Sequence, residues 1–199
     1  MEPFRTHSGI VAPLDRADVD TDQIIPKQFL KRVERSGYGQ FLFWDWRFDE
    51  DGSPRPDFVL NQDRHHGATI LVTRHNFGCG SSREHAAWAL QDFGFRVILA
   101  PSFADIFREN ADQNGIAALT LTEQEIDSLI ARSREEETYR LTVDLQAGTV
   151  TDDYGPVASF ELDDFRRACL LEGLDRIGLT LRHEELIQAY EERRWPNRP

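Results

Sequence analysis

The sequence predicts an α/β fold, a mixed sheet with flanking helices in a single domain over residues 1–199. Three observations carry that expectation. Short apolar runs such as Ala68–Val72 and Phe95–Ala100 alternate with stretches of helical periodicity along the middle of the chain. Tyr139–Leu145 alternates apolar and polar residues before Ala147-Gly148, the pattern of an antiparallel hairpin. No internal repeat or low-complexity linker divides the chain, and its length supports one core burying roughly 70% of the unfolded surface.

Taken in order, Ser8–Pro13 reads as a short strand that stops at proline, followed by an acidic turn over Asp15–Asp22. Tyr38, Phe41, Phe43, Trp44 and Trp46 crowd five aromatics into nine residues. Without a basic groove beside them, they suit a wedge of core or interface rather than a base-stacking platform. Asp49–Pro56 is a turn-rich loop. After the strand at Ala68–Val72, a helix is expected from Ser82 to about Phe93, then a strand over Phe95–Ala100. Ser102–Ala111 reads as a helix with Phe103, Ile106 and Phe107 on one face. Ile116–Leu121 is a further strand, and Thr122-x-x-Glu125 opens a helix with a capping box. Tyr139–Leu145 and Thr149–Thr151 form the hairpin, and helices follow at about Asp163–Glu172 and Arg182–Arg194, with a polar tail at 195–199.

A formal net charge of −12 and a pI near 4.9 argue against nucleic acid and anionic membrane surfaces as partners. The chain has two distant cysteines, Cys79 and Cys169, which suits a reducing cytoplasm rather than a disulfide framework. Met1–Arg5 has no signal pattern, and no apolar run approaches the ~20 residues of a membrane span.

The most informative stretch is Asn76-Phe77-Gly78-Cys79-Gly80-Ser81-Ser82-Arg83-Glu84-His85-Ala86, between a strand and a helix. Two glycines allow a ligand close to the backbone. The start of the following helix favours an anion, because its first N–H groups lack intrahelical partners. Arg83 adds a rigid cationic fork suited to a carboxylate. Ser81 offers a proton-transfer hydroxyl. The same residues also fit a plain helix cap, because Ser81-x-x-Glu84 is a capping-box pattern.

Competing motifs fail on spacing. Arg83 stands where a dinucleotide fingerprint needs its third glycine, and Gly80 directly precedes Ser81, which breaks the hydrolase Gly-x-Ser-x-Gly elbow. His85 lies one helical turn from Ser81, but packing or capping is its more ordinary role. Asp18-x-Asp20-x-Asp22 lacks the glycine and glutamate of a calcium loop and reads as an Asx-turn cluster near the site. His65-His66 has no third ligand at metal spacing and is expected in a surface loop. Lys27, Lys31, Arg32 and Arg35 form either a solvated basic turn or a loop reaching a second substrate carboxylate.

The chemistry of these residues is incomplete. A serine hydroxyl is a poor base without positive preorganisation. Loss of a hydroxyl from a hydroxy-acid needs a Lewis acid, and two separated cysteines cannot hold a four-iron cluster. The chain reads as half of an active site.

Asp20–Pro26, Asn76–Ala86, Trp88–Leu90, Pro101–Phe107 and Gly173–Leu181, with Asp45-Trp46-Arg47, closely resemble the small subunits of bacterial 3-isopropylmalate dehydratases, within the aconitase superfamily. The resemblance spans nearly the whole chain. It implies a swivelling β/β/α domain, the counterpart of aconitase's mobile fourth domain, as a separate polypeptide. It implies a heterodimer with a large subunit that bears a [4Fe-4S] cluster, no cofactor or metal in this chain, and a hydroxy-dicarboxylate substrate. The reaction implied is the interconversion of 2- and 3-isopropylmalate through 2-isopropylmaleate in leucine biosynthesis. By position, Ser81 would be the catalytic base, Arg83 would bind a substrate carboxylate, and Ser82 would help organise that oxyanion. Lys31 and Arg32, in the loop beginning at Phe29, would contact substrate and sense its side group. The family commonly has proline where Ala87 stands, a departure that concerns packing behind the turn. A paralogous hydro-lyase for homoaconitate, citraconate or methylmalate, and a non-catalytic carboxylate-binding protein, remain the alternatives.

Overall fold

Thr6–Leu14 forms a nine-residue strand, β1, on which both parts of the sheet are built. In the computed structural model, which describes residues 1–31 and 36–194, β1 is fourth in a seven-stranded sheet of order β4-β3-β2-β1-β5-β6-β7. Its second half pairs in parallel with β2 (Ile70–Thr73), Val11 opposite Ile70 and Leu14 opposite Thr73. Its first half pairs antiparallel with β5 (Arg140–Asp144), Thr6 opposite Asp144 and Ile10 opposite Arg140. Parallel pairing continues through β3 (Val97–Ala100) to β4 (Ala117–Thr120). On the other side, β6 (Thr149–Asp152) and β7 (Gly155–Ser159) extend the sheet as an antiparallel meander.

Strands β2 and β3 are buried along their whole length, as expected for parallel strands covered on both faces. Alternate residues feed two cores. Leu71, Ile98 and Ala118 face a layer made by α3 (Glu84–Phe93), α4 (Asp105–Gln113) and the aromatic segment. Ile70, Val72, Val97, Leu99 and Leu119 face α5 (Glu123–Glu135) and Leu170 of α6 (Asp164–Glu172). The aromatic wedge is core, with Tyr38 and Phe43 fully buried, and it includes the short α2 (Trp44–Arg47). The Thr122 capping box forms as its sequence predicts, the hydroxyl accepting from the Glu125 N–H.

Other elements differ from expectation. Strand β7 and helix α7 (Arg176–Leu181) are additions, and α8 covers Glu184–Arg194. Strand β7 begins at a glycine–proline pair, weak strand formers recruited by the β6 edge. The tail at 195–199 lies outside the described residues. Helix α4 starts at Asp105, because Ser102 and Phe103 are occupied in pairing with Asn76 and Phe77. Its buried face is Phe107 and Ala111, and Ile106 is 52% exposed.

His65 is not on the surface. It is buried, its Nδ1 within 2.9 Å of the Val11 carbonyl, and its Nε2 has no partner among the described residues. Burial pushes its pKa down, as it does for His7 and His85. A lowered folded pKa means that the unfolded chain takes up the proton first. The associated stability is therefore complete above about pH 6.5 and lost as pH falls toward the folded value. Between pH 7 and 5 the melting temperature of the wild type should fall more steeply than that of His65→Asn. Parallel profiles would show that His65 is not the group responsible.

Candidate active site

The glycine–serine turn follows β2, and the loops after β1 and β3 hold it on either side. All three are at the carboxyl ends of parallel strands, where open α/β sheets present their ligand crevices. On one side, the Gly78 N–H donates to the Val19 carbonyl at 2.7 Å and the Thr21 N–H to the Cys79 carbonyl at 2.9 Å. The Thr21 hydroxyl donates to the Ser81 carbonyl at 3.0 Å. On the other side, the Asn76 N–H reaches the Ser102 hydroxyl at 2.8 Å and the Phe77 N–H the Ser102 carbonyl at 3.1 Å. Asn76 has a left-handed φ of 58°, and its side-chain amide donates to Asp18 at 2.8 Å. The turn is fixed mainly by hydrogen bonds from its backbone to its neighbours, to which the Asn76 side chain adds one.

Gly78 and Gly80 have φ of 78° and 88°, a region that favours glycine. At Gly78 space is also lacking, because a Cβ there would lie 2.1 Å from Cγ of the buried Phe107 ring. Gly78→Ala should cost about 2–4 kcal/mol from combined strain and overpacking. Urea unfolding of the purified chain measures this, and a loss below about 1 kcal/mol would mean the turn is more yielding than its contacts indicate.

The expected capping box at Ser81-x-x-Glu84 does not form. The N-cap of α3 is Arg83, with extended backbone and no side-chain cap bond. The Glu84 carboxylate instead faces the Trp88 indole N–H at 3.3 Å and the Asn114 amide at 3.4 Å. The helix thus starts two residues later than Ser82, and the serines belong to the turn. Both are exposed, and neither hydroxyl has a hydrogen-bond partner among the described residues. His85 packs between Tyr38 and Trp88, with ring centroids at 5.4 and 4.6 Å, in a packing role.

The Arg83 side chain is only 14% exposed, and its guanidinium donates to the Asp22 carboxylate. Asp22 lies in α1 (Thr21–Ile24), whose N-cap Asp20 forms a capping box with Gln23. Lys27 Nζ is 3.5 Å from the other Asp22 oxygen. The Arg83 hydrogen bond, more than any other effect, holds the Asp22 carboxyl below the usual carboxylate range. Asp22 uses one Nη of the fork, and among the described residues the remaining Arg83 donors have no side-chain or backbone acceptor. They can therefore take a second carboxylate. Asp22 was legible only as part of the Asp18–Asp22 cluster. Sequence spacing does not reveal its contact with Arg83, 61 residues away.

The structure brings Ser81, Ser82, Arg83 and, through Asp22, Lys27 into one region. Lys31 ends a 3-10 turn over Lys27–Lys31 and is exposed, and no contact among the described residues joins it to Arg83. Arg32 lies outside the described residues. The root of this loop is held by Phe29, stacked on Phe41 at 4.1 Å and edge-on to Trp44 at 5.3 Å.

Among the described residues no group of three or more His, Cys, Asp or Glu side chains could hold a metal ion. Cys79 and Cys169 are separate free thiols, and burial raises the pKa of each. The donor set of this chain does not fit an iron–sulfur cluster, which needs several thiolates converging. No helix among the described residues is long and apolar enough to cross a membrane.

The family model described as the Aconitase C-terminal domain matches residues 1–124. LeuD_N matches 127–164, and the model for the C-terminal domain of the 3-isopropylmalate dehydratase small subunit matches 177–199. The chain is 59% identical over 191 residues to the 3-isopropylmalate dehydratase small subunit of Koribacter versatilis, covering 96% of this chain and 98% of that one. It is 57% identical over 194 residues to the protein of the same name from Brevibacillus brevis, covering 98% and 100%. The crystal structure of 3-isopropylmalate dehydratase (leuD) from Methanocaldococcus jannaschii shares the fold, with a TM-score of 0.65 at 24% identity over 94% of this chain and 99% of that one. By its sequence over nearly its whole length, the chain belongs to the 3-isopropylmalate dehydratase small-subunit family.

Proposed function

We propose that this chain is the small subunit of a hydro-lyase that interconverts 2-isopropylmalate and 3-isopropylmalate through 2-isopropylmaleate, acting only with a large [4Fe-4S]-bearing subunit. The observation that carries this reading is the Gly-Ser-Ser-Arg turn, held at the carboxyl ends of β1, β2 and β3 with a partly unused guanidinium fork. In the proposed roles, Arg83 binds a substrate carboxylate through the donors that Asp22 leaves open. Asp22 fixes the plane of the guanidinium by holding one Nη, so the fork is oriented before substrate arrives. Ser82 adds a hydroxyl donor to the same oxyanion.

Ser81 takes the carbon-bound proton next to that carboxylate during dehydration and returns it during rehydration. No histidine or carboxylate among the described residues contacts its hydroxyl, so deprotonation relies on positive surroundings. Arg83 and the amino end of α3 supply part of that field. Departure of the substrate hydroxyl needs a Lewis acid. The cysteines of this chain do not converge to hold one, and the proposal assigns it to the partner. Lys31 and Arg32 are proposed to meet the rest of the substrate from the loop rooted at Phe29.

The test is a substrate panel. The chain co-purified with its large subunit should turn over 2-isopropylmalate with kcat/KM at least tenfold above that for homoaconitate, citraconate or methylmalate. A preference for one of those acids would move the chain to a paralogous activity. No turnover of any, from a stable complex with an intact cluster, would leave carboxylate binding without catalysis.

A further inference from the structure

Away from the substrate turn, the C-terminal part of the chain exposes apolar surface. Eight large apolar side chains are exposed among the described residues, and seven lie on α4, α6, α7 and α8. They include Ile106, Phe165, Leu181 and Tyr190, and Ile177 and Leu186 are each 70% exposed. Neither α7 nor α8 has a buried residue. An eleven-residue helix is marginal in water without packing. On α8, Leu186, Ile187 and Tyr190 are nonetheless spaced as one apolar face. Exposed apolar surface of this kind marks an interaction site.

A groove of about 560 Å³ runs between α4, α6 and α7. It is lined by Ile106 and Phe165 and by the Arg166–Asp112 pair, whose Nε–Oδ2 distance is 2.6 Å. None of its lining residues belongs to the substrate turn.

Two observations bear on the partner such a surface would take. The first is position. Phe107 of α4 packs against Gly78 and Phe103 is bridged to Phe77, while the opposite side of α4 lines the groove. A chain that completes the site at Ser81 and Arg83 therefore arrives beside the groove. The second is where the family models fall. The Aconitase C-terminal domain model ends at residue 124, and the small-subunit model covers 177–199, which holds five of the seven exposed apolar residues. A domain at the end of a longer chain is kept near its partner by the linker, at an effective concentration in the millimolar range. A separate subunit must replace that tether with surface.

We propose that α7, α8 and the groove between α4 and α6 form the docking surface for the large subunit, a surface that stands in for the covalent tether. The inference rests on the reading of this chain as the small subunit of a two-chain enzyme. Its test uses the full chain and the purified large subunit. The double variant Ile177→Asp/Leu186→Asp and the single variant Ile106→Asp should raise the Kd for the large subunit at least a hundredfold and tenfold respectively. Both should regain wild-type kcat when the large subunit is saturating. Ser81→Ala should keep wild-type Kd while losing turnover. Hydrogen exchange in the wild-type chain should slow across 176–194 on complex formation, a readout that needs no variant to fold.

Wild-type Kd in folded variants, or unchanged exchange across 176–194, would overturn the proposal. So would variants that only dissociate a self-associated form of the isolated chain, since the surface would then join two copies of it. If the wild type does not bind the large subunit at all, the two-chain reading fails first and takes the docking surface with it.

Discussion

Replacing Ser81 by alanine is expected to lower kcat of the assembled enzyme by about 10²–10⁴-fold, the span usual for loss of a positioned acid–base group. KM should change far less, because the carboxylate is held elsewhere. The exposed hydroxyl has no partner among the described residues, so its loss should leave the fold and its stability intact. The turn itself is held through backbone groups, including the Ser81 carbonyl that Thr21 engages. Alanine keeps all of these. A fall in activity can therefore be read as chemistry rather than misfolding. Full activity in Ser81→Ala would remove the proton-transfer role from this residue.

Arg83→Lys should lower kcat/KM by about 10²–10³-fold, corresponding to one or two charge-assisted hydrogen bonds at about 1.5–3 kcal/mol each. Lysine keeps the charge but not the planar fork. In this site one Nη holds Asp22, and among the described residues the other donors of the fork have no acceptor. A single ammonium, drawn to Asp22, cannot also hold a substrate carboxylate with the same geometry. The loss should appear mainly as raised KM if the contact is equally strong in the ground and transition states. Equal losses in kcat and kcat/KM would instead place the contact in the transition state. Unchanged kcat/KM, measured on the assembled enzyme, would contradict the carboxylate role outright.

The fold was legible where periodicity and local turn chemistry agree. The parallel strands are continuous apolar runs, the Thr122 box is entirely local, and the β5–β6 hairpin has alternation on one arm and Ala147-Gly148 at its turn. Edge strand β7 was not, because it starts at a glycine–proline pair and its place is set by the β6 edge, and the six-residue α7 is too short to show a helical period. At the site, residue types pointed to the turn, but the Ser81-x-x-Glu84 spacing suggested a cap that tertiary contacts override: Glu84 is drawn to Trp88 and Asn114. His65 shows the same limit. Two adjacent histidines look solvent-exposed in sequence, and only the Val11 carbonyl reveals that one of them is interior. The Asp22–Arg83 contact joins residues 61 positions apart, and no spacing rule reaches that far.

In the proposed enzyme this chain contributes a proton-transfer hydroxyl and a carboxylate clamp to a site completed by another polypeptide. The decisive experiment titrates the purified chain into purified, cluster-loaded large subunit and follows conversion of 2-isopropylmalate. Neither chain alone should turn over substrate. Activity should rise with added chain and level off at one small subunit per large subunit, and Ser81→Ala should bind with the same endpoint yet give little turnover. Turnover by either chain alone at the rate of the mixture would contradict the claim.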